Sequence, residues 1–274
     1  MNEEQLQELL SVYRYTRPMP ALRRSSRLWI LPVAAALIIA IVAIWANSWH
    51  AGWRVLRAGD SISSATRIRI AGIGFVDIAA GSLVRVEARN RLRLERGTIH
   101  AKTISPPGIF IVDTPRARAI DLGCEYTLSI SPAGGGVLHV SSGWVSLNNW
   151  QQSLVPQGAS ARIAANGHLS PPVFDDSSAE FKSAIAAGNL TLALGLARRR
   201  DALTLINLFR NASEQQRVQV FNRLNELVPA PPGVTPYSIE PWWPLVIKAS
   251  GVNAIKKKYP RGGYAQDQTH VPGR

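Results

Sequence analysis

The sequence predicts a mixed fold: a single transmembrane helix, an all-β domain of short strands in a sandwich or roll, and a C-terminal α-helical segment. Three observations support this prediction. An uncharged apolar run spans residues 28–46. Short stretches that alternate apolar and polar residues recur between about 53 and 170, a pattern typical of half-buried strands. After Pro171 and Pro172, apolar residues follow helical spacing instead.

The apolar run approaches the roughly 20 residues that a helix needs to cross a bilayer. Five arginines closely precede it, whereas Arg54 and Arg57 alone follow within about ten residues. The five are Arg14, Arg17, Arg23, Arg24 and Arg27. Because basic flanks stay in the cytoplasm, we expect a cytoplasmic tail (1–27), a transmembrane helix (28–47) and a large body on the far side of the membrane.

Two alternatives to a membrane anchor are a cleaved signal peptide and a buried core helix. A signal peptide has a shorter apolar region, of 7–15 residues, and a small-residue cleavage site. The stretch after Ala46 reads NSWHAGW and has no such site. A core helix is rarely apolar on every face with arginines crowded at one end. Both alternatives are therefore less favoured than an uncleaved anchor.

The N-terminal tail contains one amphipathic pattern. Leu6, Leu9, Leu10 and Tyr13 are spaced i, i+3, i+4 and i+7, which places them on one face of a short helix. This face is a candidate docking surface for a cytoplasmic partner. A solvated tail without a partner is the favoured interpretation of this short segment.

The predicted β domain covers residues 53–170, where short alternating segments recur between glycine-rich or polar turns. Examples are 67–70, 74–78, 83–87, 92–95, 109–112, 126–130, 137–140 and 144–147. Glycines at the ends of such segments supply the positive φ angles that tight turns need. Gly134–Gly136 fit a hairpin tip better than a phosphate-binding loop, because a strand follows them and not a helix.

An ordered set of turn motifs in this region resembles the FecR-type domain of bacterial membrane-anchored sigma-factor regulators. The motifs are Ala58–Ile62, Phe75–Ile78 with Ala80–Ser82, Leu92–Gly97, Phe110–Pro115, Asp121–Tyr126, Val140–Val145 and Leu154–Gly158. The resemblance covers about 110 residues. It implies a periplasmic β domain that senses a partner while the cytoplasmic segment controls a sigma factor. The tail of 27 residues is far shorter than the usual cytoplasmic region of that family.

The single cysteine, Cys124, excludes an intramolecular disulfide. Its place in a strand pattern predicts a small buried hydrophobic residue; an accessible thiol is the alternative. The resembling family usually has threonine at this position, which implies that a hydroxyl contact is lost here.

The region from 177 to 250 predicts several short helices. Ser177 with Glu180 and Ser213 with Gln216 match capping boxes. Asp201 is placed to cap a third helix, and Thr235–Pro236 to start a fourth. The stretches Arg200–Leu205 and Arg223–Thr235, with Trp242 and Trp243, resemble a helical segment that follows the FecR-type domain in some bacterial proteins.

Trp242 and Trp243 are a possible outer contact, although packing of the helical segment onto the β domain is the favoured explanation. Beyond residue 252 the sequence loses apolar periodicity and contains Lys256, Lys257 and Lys258. It predicts a basic disordered tail over 252–274.

No catalytic, cofactor or metal motif is visible, so we expect a non-enzymatic protein without a cofactor. The five histidines lie far apart and form no ligand pair with Cys124. The formal net charge of +13 invites a nucleic-acid partner, but basic residues are spread along the strands and no nucleic-acid-binding motif occurs. Anionic lipid headgroups or acidic envelope polymers fit better as weak electrostatic contacts. A solvated basic surface with no specific partner is the favoured interpretation.

The sequence therefore predicts an integral, single-pass protein of the bacterial inner membrane with its N-terminus in the cytoplasm. Its periplasmic body is expected to contact a protein partner in the envelope and to signal across the membrane, with a cytoplasmic sigma factor as one candidate partner. The competing hypothesis is a tethered periplasmic binding or scaffold module without sigma-factor control. An envelope enzyme is a third hypothesis, which requires a pocket of convergent titratable groups.

Overall fold

A computed structural model describes residues 57–70 and 72–254. These residues belong to one compact unit, Gly52–Arg274. The predicted tail, the docking face Leu6, Leu9, Leu10 and Tyr13, the membrane segment and residues 255–274 lie outside the described residues. Within the described ranges, no helix combines the length and apolar character needed to span a bilayer.

The described chain consists of thirteen strands followed by five α-helices and two short 3-10 turns. The strands are β1 (Ser61–Ile62), β2 (Thr66–Ile70), β3 (Gly74–Ile78), β4 (Leu83–Ala88), β5 (Arg91–Thr103), β6 (Ile111–Asp113), β7 (Arg118–Asp121), β8 (Glu125–Ile130), β9 (Gly136–Ser142), β10 (Trp144–Asn148), β11 (Gln152–Pro156), β12 (Ala159–Ile163) and β13 (Val173–Phe174). The helices are α1 (Ala179–Ala186), α2 (Leu190–Leu196), α3 (Ala202–Asn211), α4 (Glu214–Leu227) and α5 (Trp243–Ala249), with 3-10 turns at Arg199–Asp201 and Glu240–Trp242. The prediction of a β-rich domain followed by helices is confirmed at this level.

Strand β5 connects two sheets. Its first half, up to Arg96, pairs with β4 and β6, and its second half, from Gly97, pairs with β3 and β8. The first sheet has the order β1-β4-β5-β6-β7-β10-β11 and the second β2-β3-β5-β8-β9-β12-β13. All pairs are antiparallel except β5 with β6. Apart from β1, β4 and the shared β5, the chain thus alternates between the sheets in pairs of strands.

The alternation of inward-facing and outward-facing residues along β5 shifts by one residue at Gly97, so that even-numbered residues face inward before it and odd-numbered residues after it. Leu92 and Leu94 are buried in the first half, whereas Ile99 and Ala101 are buried in the second. Because strand side chains alternate with a period of two, an inversion of this kind breaks the pattern that sequence reasoning follows. The predicted segment 92–95 therefore captured less than half of the strand.

The capping prediction was correct for α4 and wrong by one residue for α1. Ser213 accepts a hydrogen bond from the Gln216 amide and the Gln216 side chain accepts one from the Ser213 amide. The N-cap of α1 is Ser178, which accepts from Phe181 N at 3.1 Å. Ser177 is buried and its hydroxyl donates elsewhere.

The prediction of a helix start at Thr235–Pro236 was wrong. Thr235 N donates to Ser238 O and Ser238 N to Thr235 O, which closes a tight turn there. The helical chain resumes at Glu240–Trp242 instead. Asp201 also makes no capping bond to α3, because its carboxylate is directed to other donors.

The helices pack on the first sheet at its β11 edge. Asn207, fully buried on α3, accepts from Leu154 N at 2.9 Å and donates to Leu203 O at 2.8 Å. The amide of an edge strand, which would otherwise need water or another chain, is thereby satisfied by the helical segment. Trp144 on β10 donates from Nε1 to Asn253 O at 2.7 Å. Val252, the residue before Asn253, is buried.

Candidate functional site

Six glycines that carry the family resemblance all lie at turns or bends with a positive φ. They are Gly59, Gly81, Gly97, Gly123, Gly143 and Gly158. Because L-residues with side chains rarely adopt such angles, the backbone itself requires glycine at these points. The motifs are therefore the turns on which the two-sheet arrangement depends.

A buried polar cluster surrounds Asp121 at the end of β7. Its Oδ1 accepts from Thr103 Oγ1 at 2.8 Å and from Gly123 N at 2.6 Å, and its Oδ2 accepts from Cys124 Sγ at 2.8 Å. The hydroxyl of Tyr126, also buried, has no hydrogen-bond partner in the described residues. The cluster therefore lies within the core and not at a surface.

The environment of Cys124 makes its thiol unreactive. Burial raises the pKa of Cys124, and the nearby Asp121 carboxylate raises it further. Burial likewise raises the pKa of Asp121. Since the thiolate is the nucleophile, Cys124 acts as a buried hydrogen-bond donor. Although the family's threonine hydroxyl is absent, the Cys124 thiol donates its own hydrogen bond, to Asp121 Oδ2.

A second cluster is built on the outer face of the first sheet. Asp113, on β6, accepts from Arg91 Nε and from Arg118 Nε, the latter at 2.8 Å. Glu87 lies 3.1 Å from Arg91 and 3.8 Å from Arg93. Burial acts to raise the pKa of Asp113, but the hydrogen bonds from Arg91 and Arg118 outweigh it, and the pKa lies below its ordinary value.

The Asp113 cluster predicts a loss of stability in acid. A carboxyl group whose pKa is lower in the folded protein than in the unfolded chain stabilises the fold fully at pH values above its unfolded pKa. This contribution is lost as the pH falls through the folded pKa. Asp113→Asn should cost about 2 kcal/mol at pH 7, as expected for hydrogen bonds to a charged group. The deficit relative to wild type should shrink as pH falls below the ordinary range of an aspartate carboxyl group. Melting temperatures from pH 2 to 7 test this; a deficit independent of pH would contradict it.

The outer face of the second sheet has a row of polar residues in register. His100 Nδ1 lies 3.2 Å from Thr127 Oγ1, and its Nε2 lies 3.2 Å from Glu125 Oε1. Across the sheet, His139 Nε2 lies 3.0 Å from Asp175 Oδ2. Thr127 stands between the two histidines in the strand register. Among the described residues, no group of three or more His, Cys, Asp or Glu side chains is arranged to hold a metal ion.

The two predicted contact tryptophans occupy different environments. Trp242 is fully buried, packs edge-on against Phe221 with ring centroids 5.2 Å apart, and donates from Nε1 to Val228 O at 3.0 Å. Its ring has no exposed surface for an outer contact and belongs to the core of the helical segment. Trp243 is partly exposed, with the Arg210 guanidinium 4.8 Å above its ring.

Sequence reasoning missed the aromatic residue that the helical segment does expose. The side chain of Tyr237 is 72% exposed and its hydroxyl donates to Glu214 Oε1 at 2.8 Å. Val218, 46% exposed, follows one helical turn after Glu214 and therefore lies on the same side of α4. We call Glu214, Val218 and Tyr237 the Tyr237 surface. In the sequence, this surface is marked by a single tyrosine that directly follows Thr235–Pro236, the stretch predicted to start a helix.

Comparison with known proteins gives a distant structural match only. Neither a protein-family model nor a curated protein sequence matches the chain. Two crystal structures of a candidate anti-sigma factor from Parabacteroides distasonis, at 1.65 Å and 2.50 Å, are similar to it at 17% identity with a TM-score of 0.32. The similar regions cover 49% and 47% of this chain. They cover 64% and 61% of those chains, so this chain spans less than two thirds of their length.

Proposed function

We propose that this protein is a single-pass inner-membrane protein whose periplasmic body binds a protein partner and whose cytoplasmic tail transmits the result. The observation that carries the proposal is the correspondence between the motif glycines and the positive-φ turns of the β body. It supports the FecR-type resemblance because the backbone has a positive φ at each of these glycines, which residues with side chains rarely adopt. A non-enzymatic role follows from the same resemblance.

The membrane part of the proposal is supported by the sequence alone. The run from Leu28 to Ala46 contains no charge and follows five arginines. This pattern is typical of an anchor with its N-terminus in the cytoplasm. We infer that the tail, with Leu6, Leu9, Leu10 and Tyr13, contacts a cytoplasmic regulator, for which a sigma factor is the first candidate.

The Tyr237 surface is the proposed contact of the body with its envelope partner. Tyrosine is enriched among the residues that dominate binding energies at interfaces. The Glu214 carboxylate holds the Tyr237 hydroxyl, and this hydrogen bond raises the pKa of the phenol. The ring is therefore oriented before a partner arrives, which reduces the entropy cost of binding.

Crosslinked capture from membranes tests the two ends of the protein separately. Tyr237→Ala should reduce capture of an envelope partner at least tenfold, because hot-spot truncations cost about 2 kcal/mol or more. Trp150→Ala is the matched control, since Trp150 is similarly exposed at 65% but lies on the β10–β11 turn. Equal capture by both variants would contradict the assignment of the Tyr237 surface.

The tail is tested by the same capture on the cytoplasmic side. Leu9→Glu combined with Leu10→Glu should abolish capture of a cytoplasmic regulator while membrane insertion is unchanged. Gln7→Glu with Ser11→Glu adds the same charge away from the apolar face and serves as the control. If a chain lacking residues 2–16 captures the same partners as the full chain, and none is cytoplasmic, the protein is a tethered periplasmic module instead.

A further inference from the structure

We propose that a basic rim around the first strand of the β body docks on the anionic headgroups of the membrane that anchors it. The rim consists of Arg57, Arg85 and Arg89, which flank β1 and the turn before it. This inference rests on the proposed membrane anchor. It adds an interaction surface and a lipid class to that proposal.

Backbone hydrogen bonds place the three arginines at one edge of the first sheet. Gly59 N donates to Val86 O, and Val86 N donates to Asp60 O, each at 2.9 Å. The turn that starts at Arg57 therefore lies against the end of β4. Arg85 is directly opposite Ser61 of β1 in the strand register, and Arg89 follows β4 at its C-terminal end.

The rim arginines are exposed, and the ion pairs of the described residues include none of them. Several other arginines of the body are neutralised, as Arg118 is by Asp113 and Arg67 by Asp77. Acidic neighbours of the rim are already occupied. Glu87 pairs with Arg91 and Arg93, and Asp60 accepts from the Arg57 backbone amide.

In the register of β4 and β5, Arg85 stands opposite Arg93. The Arg93 guanidinium is neutralised by Glu95, at 2.7 Å, and lies 3.8 Å from Glu87. Arg85 is therefore the guanidinium of this pair that remains for a phosphate group. Guanidinium groups suit this ligand because their planar donors match phosphate oxygens.

The short stretch of chain between the apolar run and the rim favours the anionic headgroups of the membrane as the ligand of the rim. Ten residues, 47–56, separate the end of the apolar run from Arg57. Fully extended, they and their flanking bonds span about 35 Å. If the run is an anchor, the rim stays within that distance of the bilayer. Each arginine near an anionic surface contributes roughly a fivefold factor to the docking equilibrium, equivalent to about 1 kcal/mol.

The test uses the full chain in lipid nanodiscs with a fluorophore on Ser63→Cys, one residue after β1. The buried thiol of Cys124 leaves the introduced cysteine as the labelling site. Quenching by a headgroup-attached quencher should rise when anionic lipid replaces zwitterionic lipid. It should fall in 0.5 M salt, because salt screens exposed charges.

Substituting glutamine for Arg57, Arg85 and Arg89 together should weaken docking about a hundredfold, from three fivefold factors. The control replaces Arg116, Arg162 and Arg199, which are exposed elsewhere, and should behave as the parent chain. Quenching independent of lipid charge, or equal losses in both triple variants, would overturn the inference. So would rim-dependent binding of a soluble polyanion without lipid-dependent quenching. A chain that does not incorporate into nanodiscs would overturn the membrane proposal itself, and the inference with it.

Discussion

Replacing Gly97 with alanine should destabilise the β body by roughly 2–5 kcal/mol, a large share of the stability of a typical domain. Gly97 has a φ of 99° at the point where β5 passes from one sheet to the other. A Cβ atom there would overlap the backbone and side chain of Ser82. Backbone strain of about 1–2 kcal/mol therefore adds to a steric cost of about 1–3 kcal/mol.

Ser82 has little room to move away from a new methyl group at Gly97. It is buried, and its Oγ accepts from Thr98 N at 2.9 Å and donates to Thr98 O at 3.1 Å. Moving Ser82 would break both bonds to the residue that follows Gly97. The clash is therefore relieved only by separating β4 from β5.

Gly59 provides a matched control for this substitution. Its φ of 97° is almost the same, but a Cβ atom there would meet nothing within 4 Å. Gly59→Ala should cost only the backbone strain, about 1–2 kcal/mol. Urea unfolding of both variants measures the difference. Equal losses would show that the close approach of Ser82 to β5 does not contribute.

The same bend explains which part of the β domain sequence reasoning found. Strands whose inward residues are all strongly apolar or aromatic, such as β4 and β8, stand out by simple alternation. The second half of β5 was missed because the alternation inverts at Gly97. Strands β7 and β12 were missed because most of their inward residues, Ala119, Asp121, Ala159 and Ala161, give little apolar signal, and Ile163 alone is large.

The helical segment shows a different limit of local reasoning. Ser213 was assigned correctly because its partner, Gln216, is three residues away. Ser177 was assigned to a cap by the same rule, but its hydroxyl bonds Asp201, 24 residues later. Adjacent tryptophans also cannot be told apart by composition. Their roles follow from helix rotation, which buries Trp242 and leaves Trp243 partly exposed.

Replacing Asp201 with alanine should cost about 2–3 kcal/mol, since hydrogen bonds to a charged group contribute about 1.5–3 kcal/mol and the buried Ser177 hydroxyl loses its acceptor. The Arg198 side chain is 49% exposed, so its guanidinium can be solvated when the carboxylate is removed. Asp201 is fully buried. Its Oδ1 accepts from Ser177 Oγ at 2.6 Å, and its Oδ2 accepts from Arg198 N at 2.9 Å and Arg198 Nε at 3.1 Å. The carboxylate thus joins the start of α1 to the turn before α3.

The loss of stability in Asp201→Ala should extend to the contact between the helices and the β body, because Asp201 ends the 3-10 turn that leads into α3. In the first turn of α3, Thr204 Oγ1 donates to Pro172 O at 2.7 Å and ties this helix to the chain that leaves the β body. Limited proteolysis should therefore cut first in the helical segment of Asp201→Ala, before the β strands are exposed.

Asp176→Ala is the matched control for Asp201, because Asp176 also binds an arginine, Arg200, at 2.7 Å. Its side chain is 56% exposed, against 0% for Asp201. Exposed ion pairs contribute about 0–1 kcal/mol, so this control should unfold close to wild type. Both variants could instead shift the urea midpoint equally, with no change in the dependence of the unfolding free energy on urea concentration. In that case burial of the Asp201 carboxylate does not stabilise the helical segment.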